Sequence, residues 1–247
     1  MTTSFIIVLL AGAVAGGFMN GLAGFGTALL ALGFWLQIMP ATQAVSIVLV
    51  MSVASSVQGL WIVRNEIGAN RARLARFLLP GLIGLPLGNS LLDLISASLL
   101  KLFIAIFMLL YGAFFILRRS LPRLERQTPL IDTAIGFLGG VLGGAASLSG
   151  ALPTMWCAMR PWTKGETRAV LQPYNFAILV GAMLIFAFQG KYDRETLIVT
   201  LIVLPVTLIS ADIGIRVFRR LTDTQFRVLL IAFMFFSGLA LLLRELF

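Results

Sequence analysis

Residues 77–95 and 99–117 are two apolar runs set almost end to end, each close to the ~20 residues that carry an α-helix across a hydrocarbon core. That length constrains the chain more than any other feature, because the charge needed for folding in water is missing. Only 12% of its 247 residues are charged and 59% are hydrophobic, with a mean hydropathy of +0.99. A soluble domain carries roughly 25% charged residues, so this chain has too few to cover a water-facing surface. A membrane β-barrel would instead show ~10-residue segments alternating apolar and polar, and the sequence has none. The expected fold is all-α, a polytopic transmembrane helical bundle lying in the lipid bilayer.

Several function classes drop out on residue types alone. There is no histidine and only one cysteine, Cys157, so neither a His-ligated metal site, nor a Ser–His protease, nor an internal disulfide framework is expected. No Gly-x-Gly-Asp motif accompanies Asp93 or Asp212, and no ATP-binding or cofactor motif is present. Catalytic residues, metal and cofactor are therefore all expected to be none. The net charge of +9 fits short cytoplasmic loops better than a nucleic-acid partner. The apolar residues 5–10 have no Lys or Arg before them, so they lack the basic start of a cleavable signal and are expected in the mature chain.

The chain resembles itself. Gly17-Phe18, Gly21 and Gly24 reappear as Gly136-Phe137, Gly140 and Gly143. Pro40-Ala41-Thr42-Gln43-Ala44-Val45 returns loosely as Gly165-Glu166-Thr167-Arg168-Ala169-Val170, and Pro80 as Pro205. Lys101, Phe107-Met108 and Gly112 match Arg227, Phe233-Met234 and Gly238. These offsets, about 119 to 126, keep a constant order and divide the chain into repeats 1–122 and 123–247. Each repeat reads as a long Gly-rich segment and three spans: 5–38, 42–63, 77–95 and 98–117, then 130–159, 169–188, 196–215 and 226–243.

As one helix, residues 5–38 would be ~51 Å long against a core of ~30 Å. The segment is expected to break at its glycines and turn back. Charge placement agrees. Arg64/Arg71/Arg73/Arg76, Arg118/Arg119/Arg123/Arg126, Arg160/Lys164/Arg168 and Arg216/Arg219/Arg220/Arg227 hold all but four of the 19 Lys and Arg. If each Gly-rich segment starts and ends on one side, all four clusters face the cytoplasm, as the positive-inside rule prefers. Both termini and the loop around Lys191 then lie outside, and the halves become inverted repeats, the arrangement many secondary carriers use for alternating access.

The two glycine stretches, residues 20–27 and 139–150, are the candidate site. The backbone is expected to be non-helical near Gly24–Gly26 and Gly143–Ser147 at mid-membrane depth, where irregular chain survives only beside protein or a water-filled cavity. A half-helix starting there would aim free N–H groups at an anion. The substrate-binding candidates are Asn20, Gly24, Gly26, Thr27, Gly143, Gly144, Ser147 and Ser149, with Gln172 and Asn175 three apart on one helix face. Simple close packing of helices at Gly17xxxGly21 and Gly136xxxGly140 is the competing explanation. Ser52, Ser55, Ser56, Gln58 and the pair Asn89-Ser90 are secondary candidates. Asp93 with Lys101, and Asp212 with Arg216, suit ion pairs or proton carriers. Arg160, Lys164 and Arg168 suit attraction of anions to the cytoplasmic mouth, although topology alone explains them. Trp35, Trp61, Trp156 and Trp162, near segment ends, are expected in an interfacial belt.

Glycine-rich openings of two repeated halves, each followed by a Pro or Gly and an Ala-Val pair, resemble the sulfite exporter TauE/SafE family over essentially the whole chain. The family's run of successive glycines is altered here to Gly24-Phe25-Gly26-Thr27 and Gly143-Gly144-Ala145-Ala146. The resemblance implies a secondary transporter of a small anion such as sulfite, thiosulfate or an organosulfonate, in a bacterial inner membrane. An anion channel or other pore, a carboxylate carrier and a membrane scaffold are the alternatives. The absence of a carboxylate among the candidates favours an anion over a cation.

Overall fold

The computed structural model describes residues 3–92, 124–126 and 128–222, with single positions 94, 99, 102, 103, 106, 109, 110, 113 and 225. The expected span 98–117 is described only at the single positions within it, and the span 226–243 and the pair Asp93–Lys101 lie outside the described residues. Every described element is a helix: α1 (Thr3–Ala23), α2 (Thr27–Trp35), α3 (Ala41–Ala69), α4 (Arg71–Leu92), α5 (Pro129–Ala146), α6 (Ala151–Ala158), α7 (Lys164–Phe188) and α8 (Arg194–Arg220). Six of them are long and apolar enough to cross a membrane. Apolar side chains such as Leu79, Ile83, Leu201 and Ile209 stand exposed on their outer faces, which only lipid tolerates on this scale. The chain is an integral membrane protein.

The two short helices do not cross. At 9 and 8 residues, α2 and α6 reach only ~12–14 Å at 1.5 Å per residue. Each turns back along the helix before it. Trp35 at the end of α2 donates Nε1 to the Leu9 carbonyl in α1 at 3.0 Å. Trp156 near the end of α6 donates Nε1 to Asp132 Oδ1, in the first turn of α5, at 2.6 Å. Trp35 is fully buried, so it closes this hairpin and is not the interfacial anchor expected from its place in the sequence. Trp61 is exposed, with the Arg64 guanidinium 4.1 Å above its ring.

Glycine contacts set the long-range packing. Along α1, Gly17 and Gly21 rest on the backbone of Thr207 and Ala211 in α8, and Gly214 returns the contact against Phe18 and Leu22. Ser210 Oγ adds a 2.7 Å hydrogen bond to the Val14 carbonyl. In the same way Gly136, Gly140 and Gly144 of α5 meet Phe77, Gly81 and Leu85 of α4, while Gly84 and Gly88 meet Phe137 and Val141. Residue numbers rise together in both pairs, so both are parallel. Small residues allow this approach because lipid offers no hydrophobic drive, and van der Waals contact between backbones must supply the association.

Between these pairs, α3 packs on α7 in the opposite sense. Gln172 Nε2 donates to the Ser56 carbonyl at 3.4 Å, and Tyr192, just beyond α7, donates to the Ser46 carbonyl near the start of α3 at 3.4 Å. Helix starts pair as Thr27 with Ala151, Ala41 with Lys164 and Arg71 with Arg194, an offset of about 123. The Gly-Phe match at about 119 differs from this offset by about one helical turn. Glycines spaced by four look alike under a four-residue slip, since one turn is 3.6 residues.

Arginines collect at one end of the bundle. Arg73 pairs with Glu166 at 2.9 Å, Arg76 with Asp132 at 3.9 Å, and Arg160 donates to the Leu124 and Arg126 carbonyls at 3.2 and 2.6 Å.

Candidate functional site

The two hairpin turns meet. The first break runs over Gly24–Gly26, as expected. It opens with Gly24 at φ 80, whose N–H still bonds the Asn20 carbonyl at 2.7 Å, and closes with Gly26 at φ 97. The second lies later than expected. Helix α5 continues through Gly143 and Gly144 to Ala146, and the chain leaves it only at Ser147. The helix ends in an αL cap, in which Ser147 N–H bonds the Gly143 carbonyl at 2.9 Å, and Leu148 N–H reaches back to the Leu142 carbonyl at 3.1 Å. Ser147 takes the left-handed conformation, φ 58, that glycine usually supplies at this position. Gly143 and Gly144 are packing residues, against Ile178 and Ser149 and against Leu85 and Asn89 respectively.

Both short helices start at these breaks without a side-chain cap, at Gly26 and Gly150. Their N-termini border one small cavity, lined by Asn20, Phe25, Gly26, Thr27, Ser52 and Ser147, with Leu148, Gly150 and Asn175 among the rest. No lining residue is charged. The cavity lies near the middle of α3 and α7, at the level of Ser52 and Asn175. Its volume is ≈ 10 Å³, space for about one water.

Asn175 ties the two breaks together. Its Oδ1 accepts from Ser149 Oγ, and its Nδ2 donates to the Gly24 carbonyl at 3.2 Å. Gly150 allows the approach, because a Cβ there would come within 2.6 Å of Asn175 Nδ2. Asn20 is held from α3, donating Nδ2 to Ser55 Oγ at 2.5 Å and to the Ser52 carbonyl and Ser56 Oγ at 3.4 Å. Two hydroxyls remain open. Thr27 Oγ1 and Ser147 Oγ, one from each break, are buried with no hydrogen-bond partner among the described residues. Buried polar groups are nearly always bonded, so these two hydroxyls are free to take an added partner.

A family model for the sulfite exporter TauE/SafE matches residues 8–241, a range that takes in both breaks and all of the described helices except the first few residues of α1. The chain belongs to this family. Neither a curated protein nor a solved structure shows a significant match to it. Membership makes this TauE/SafE chain a membrane transport protein.

Other expected candidates fall elsewhere. Gln172 sits about one turn from the cavity, with its carboxamide between Gly24 and Gly59. Gln58 is exposed, Asn89 is buried against Gly144, and Ser90 only back-bonds to the Pro86 carbonyl at 3.1 Å. Asp212 pairs with Arg216 at 2.6 Å on an exposed helix face. Asp132 is the acidic residue that reading along the sequence passed over. It is 4% exposed and accepts from Arg160 at 3.1 Å and from Trp156. Its position at the start of a span hid it. A wider cavity of ≈ 630 Å³ at the basic end is lined by Arg73, Arg76 and Arg160 together with Glu66, Glu125, Asp132 and Glu166. Its arginines are matched by carboxylates, so it presents no unbalanced positive charge.

Proposed function

We propose that the chain is a secondary carrier of sulfite or a related sulfur oxyanion, held between the two hairpin breaks and moved by alternating access. The observation that carries the reading is the convergence of two uncapped helix N-termini and two unpartnered hydroxyls on one uncharged cavity. Helix N-termini favour anions through their free N–H groups and positive dipole ends. Thr27 and Ser147 would add a hydroxyl from each side, Asn20 and Asn175 amide N–H donors, and Ser149, Gly24, Gly26 and Gln172 the surrounding frame.

Repeats 1–122 and 123–247 are read as inverted halves in the membrane of a bacterial cell, with both termini outside. Antiparallel packing of α3 on its counterpart α7 supports the inversion, and the arginine-rich end supports a cytoplasmic face there. Asn175, reaching both breaks from α7, would let anion binding on one hairpin be felt by the other. The occluded cavity suits a carrier better than an open pore.

The test is sulfite flux into liposomes with Asn175→Ala. Each lost hydrogen bond to a charged ligand costs ~1.5–3 kcal/mol, so affinity should fall roughly tenfold or more while expression holds. Counterflow, which a channel cannot support, separates the carrier from the pore. Unchanged flux in the variant moves the site elsewhere, and flux of a cation instead rejects the anion reading.

A further inference from the structure

Arg168 lies on the α7 face that also carries Gln172, Asn175 and Leu179, two turns toward the basic end from the cavity. It is 5% exposed. Its Nη2 donates to the Gly21 carbonyl in α1 at 3.2 Å, its Nε to Gln172 Oε1 at 3.4 Å, and its guanidinium lies 4.4 Å from the centre of the Phe218 ring in α8. These partners are all neutral. Nη1 is buried and unpartnered, and no carboxylate pairs with Arg168 among the described residues. One other arginine is buried among the described residues, and its setting differs. Arg160 is equally enclosed, but Asp132 balances its charge.

A buried cation with an open donor and no counter-charge is costly to keep. Capping the end of α1 and stacking on Phe218 account for Nη2 and the ring face, yet they leave Nη1 and the charge itself unanswered. An anion answers both. Gln172 stands between: its carboxamide fills the gap beside Gly24 and Gly59, bonded to Arg168 on one side and to the Ser56 carbonyl on the other. A rotation of that side chain would join the guanidinium to the central cavity.

We propose that Arg168 is a second anion-binding station of the carrier, which takes the oxyanion from the basic face and passes it by Gln172 to the cavity between the breaks. This inference rests on the proposed anion transport. It explains how a cavity without charge can be loaded: the charge stands beside it, near enough to attract the anion and far enough to release it.

The test compares wild type, Arg168→Gln and Arg168→Lys, purified and reconstituted, by sulfite-induced thermal shift and by the KM of sulfite flux. Arg168→Gln should raise KM at least tenfold and lose most of the sulfite-induced shift while its melting temperature without sulfite stays near that of wild type. Arg168→Lys, which keeps the charge but not the guanidinium fork that reaches Gly21 and Gln172, should give a KM between those of wild type and Arg168→Gln. A wild-type KM in Arg168→Gln overturns the proposal. If that variant does not fold, Arg168→Lys decides: a retained sulfite response supports a charge role, and a lost response in a folded protein overturns it. A wild-type protein that neither binds nor carries sulfite, sulfate or an alkyl sulfonate defeats the transport reading itself, a result separate from the behaviour of the variants.

Discussion

Ser147 carries two costs that glycine would relieve, which makes Ser147→Gly a sharp test of the site. At φ 58 and ψ 24 its backbone is left-handed, a conformation that costs a residue with a Cβ roughly 1–2 kcal/mol. Glycine gives back part of that gain, about 0.4–1 kcal/mol, through its freer unfolded chain. The hydroxyl is the second cost. It is buried without a partner, and an unsatisfied group of this kind costs about 1–3 kcal/mol. Ser147→Gly should therefore stabilise the protein without sulfite by about 1–4.5 kcal/mol, read as a rise of several degrees in melting temperature. The same change removes a hydroxyl proposed to bond the anion, so sulfite affinity should fall by roughly tenfold or more. Ser147→Ala keeps the strained backbone and removes only the hydroxyl, so it should lose affinity with a smaller gain in stability. Thermal unfolding in detergent and the KM of liposome flux, measured on both variants, separate the two effects. A Ser147→Gly protein with wild-type KM would refute the hydroxyl's role, and one that melts lower than wild type would refute the strain assignment.

Gly21→Ala should force α1 away from the Ala211 backbone and destabilise by ~1–3 kcal/mol, whereas Gly33→Ala, which meets open space within α2, should be neutral or stabilise by up to ~1 kcal/mol; equal melting temperatures would contradict the packing described. Asp132→Ala leaves Arg160 buried without its carboxylate and Trp156 without its acceptor. It should cost ~3–5 kcal/mol and show as early loss of monodisperse protein on heating, and a variant as heat-resistant as wild type would remove the ion pair from the account. In a Cys157→Ser background, Arg71→Cys should label only from the cytoplasmic face and Arg194→Cys only from outside. Labelling of both from one face would end the inverted-hairpin topology.

The solvent was settled by composition: a chain with 12% charge and runs of spanning length folds in lipid. Counting residues 5–38 against the thickness of the core was enough to require a break, and the glycines at 24 and 26 located it, because few other residues accept a positive φ. The second break was harder to place. Glycines 139, 140, 143 and 144 draw attention to themselves, yet in α5 they serve contact with α4 and neighbouring chain, and the turn falls on Ser147, a residue type without strong preference for that conformation. The offset between the proposed repeats was ambiguous along the chain, since small residues spaced by one helical turn match equally well after a slip of that turn. Burial could not be read along the chain at all. Arg160 and Arg168 look alike in the sequence, eight residues apart in one basic cluster. Only tertiary packing gave the first Asp132 as its counter-charge and left the second among Gly21, Gln172 and Phe218, because Asp132, Gly21 and Phe218 come from other helices. The same holds for Asn175, whose reach to both hairpins depends on α7 lying where the two breaks meet.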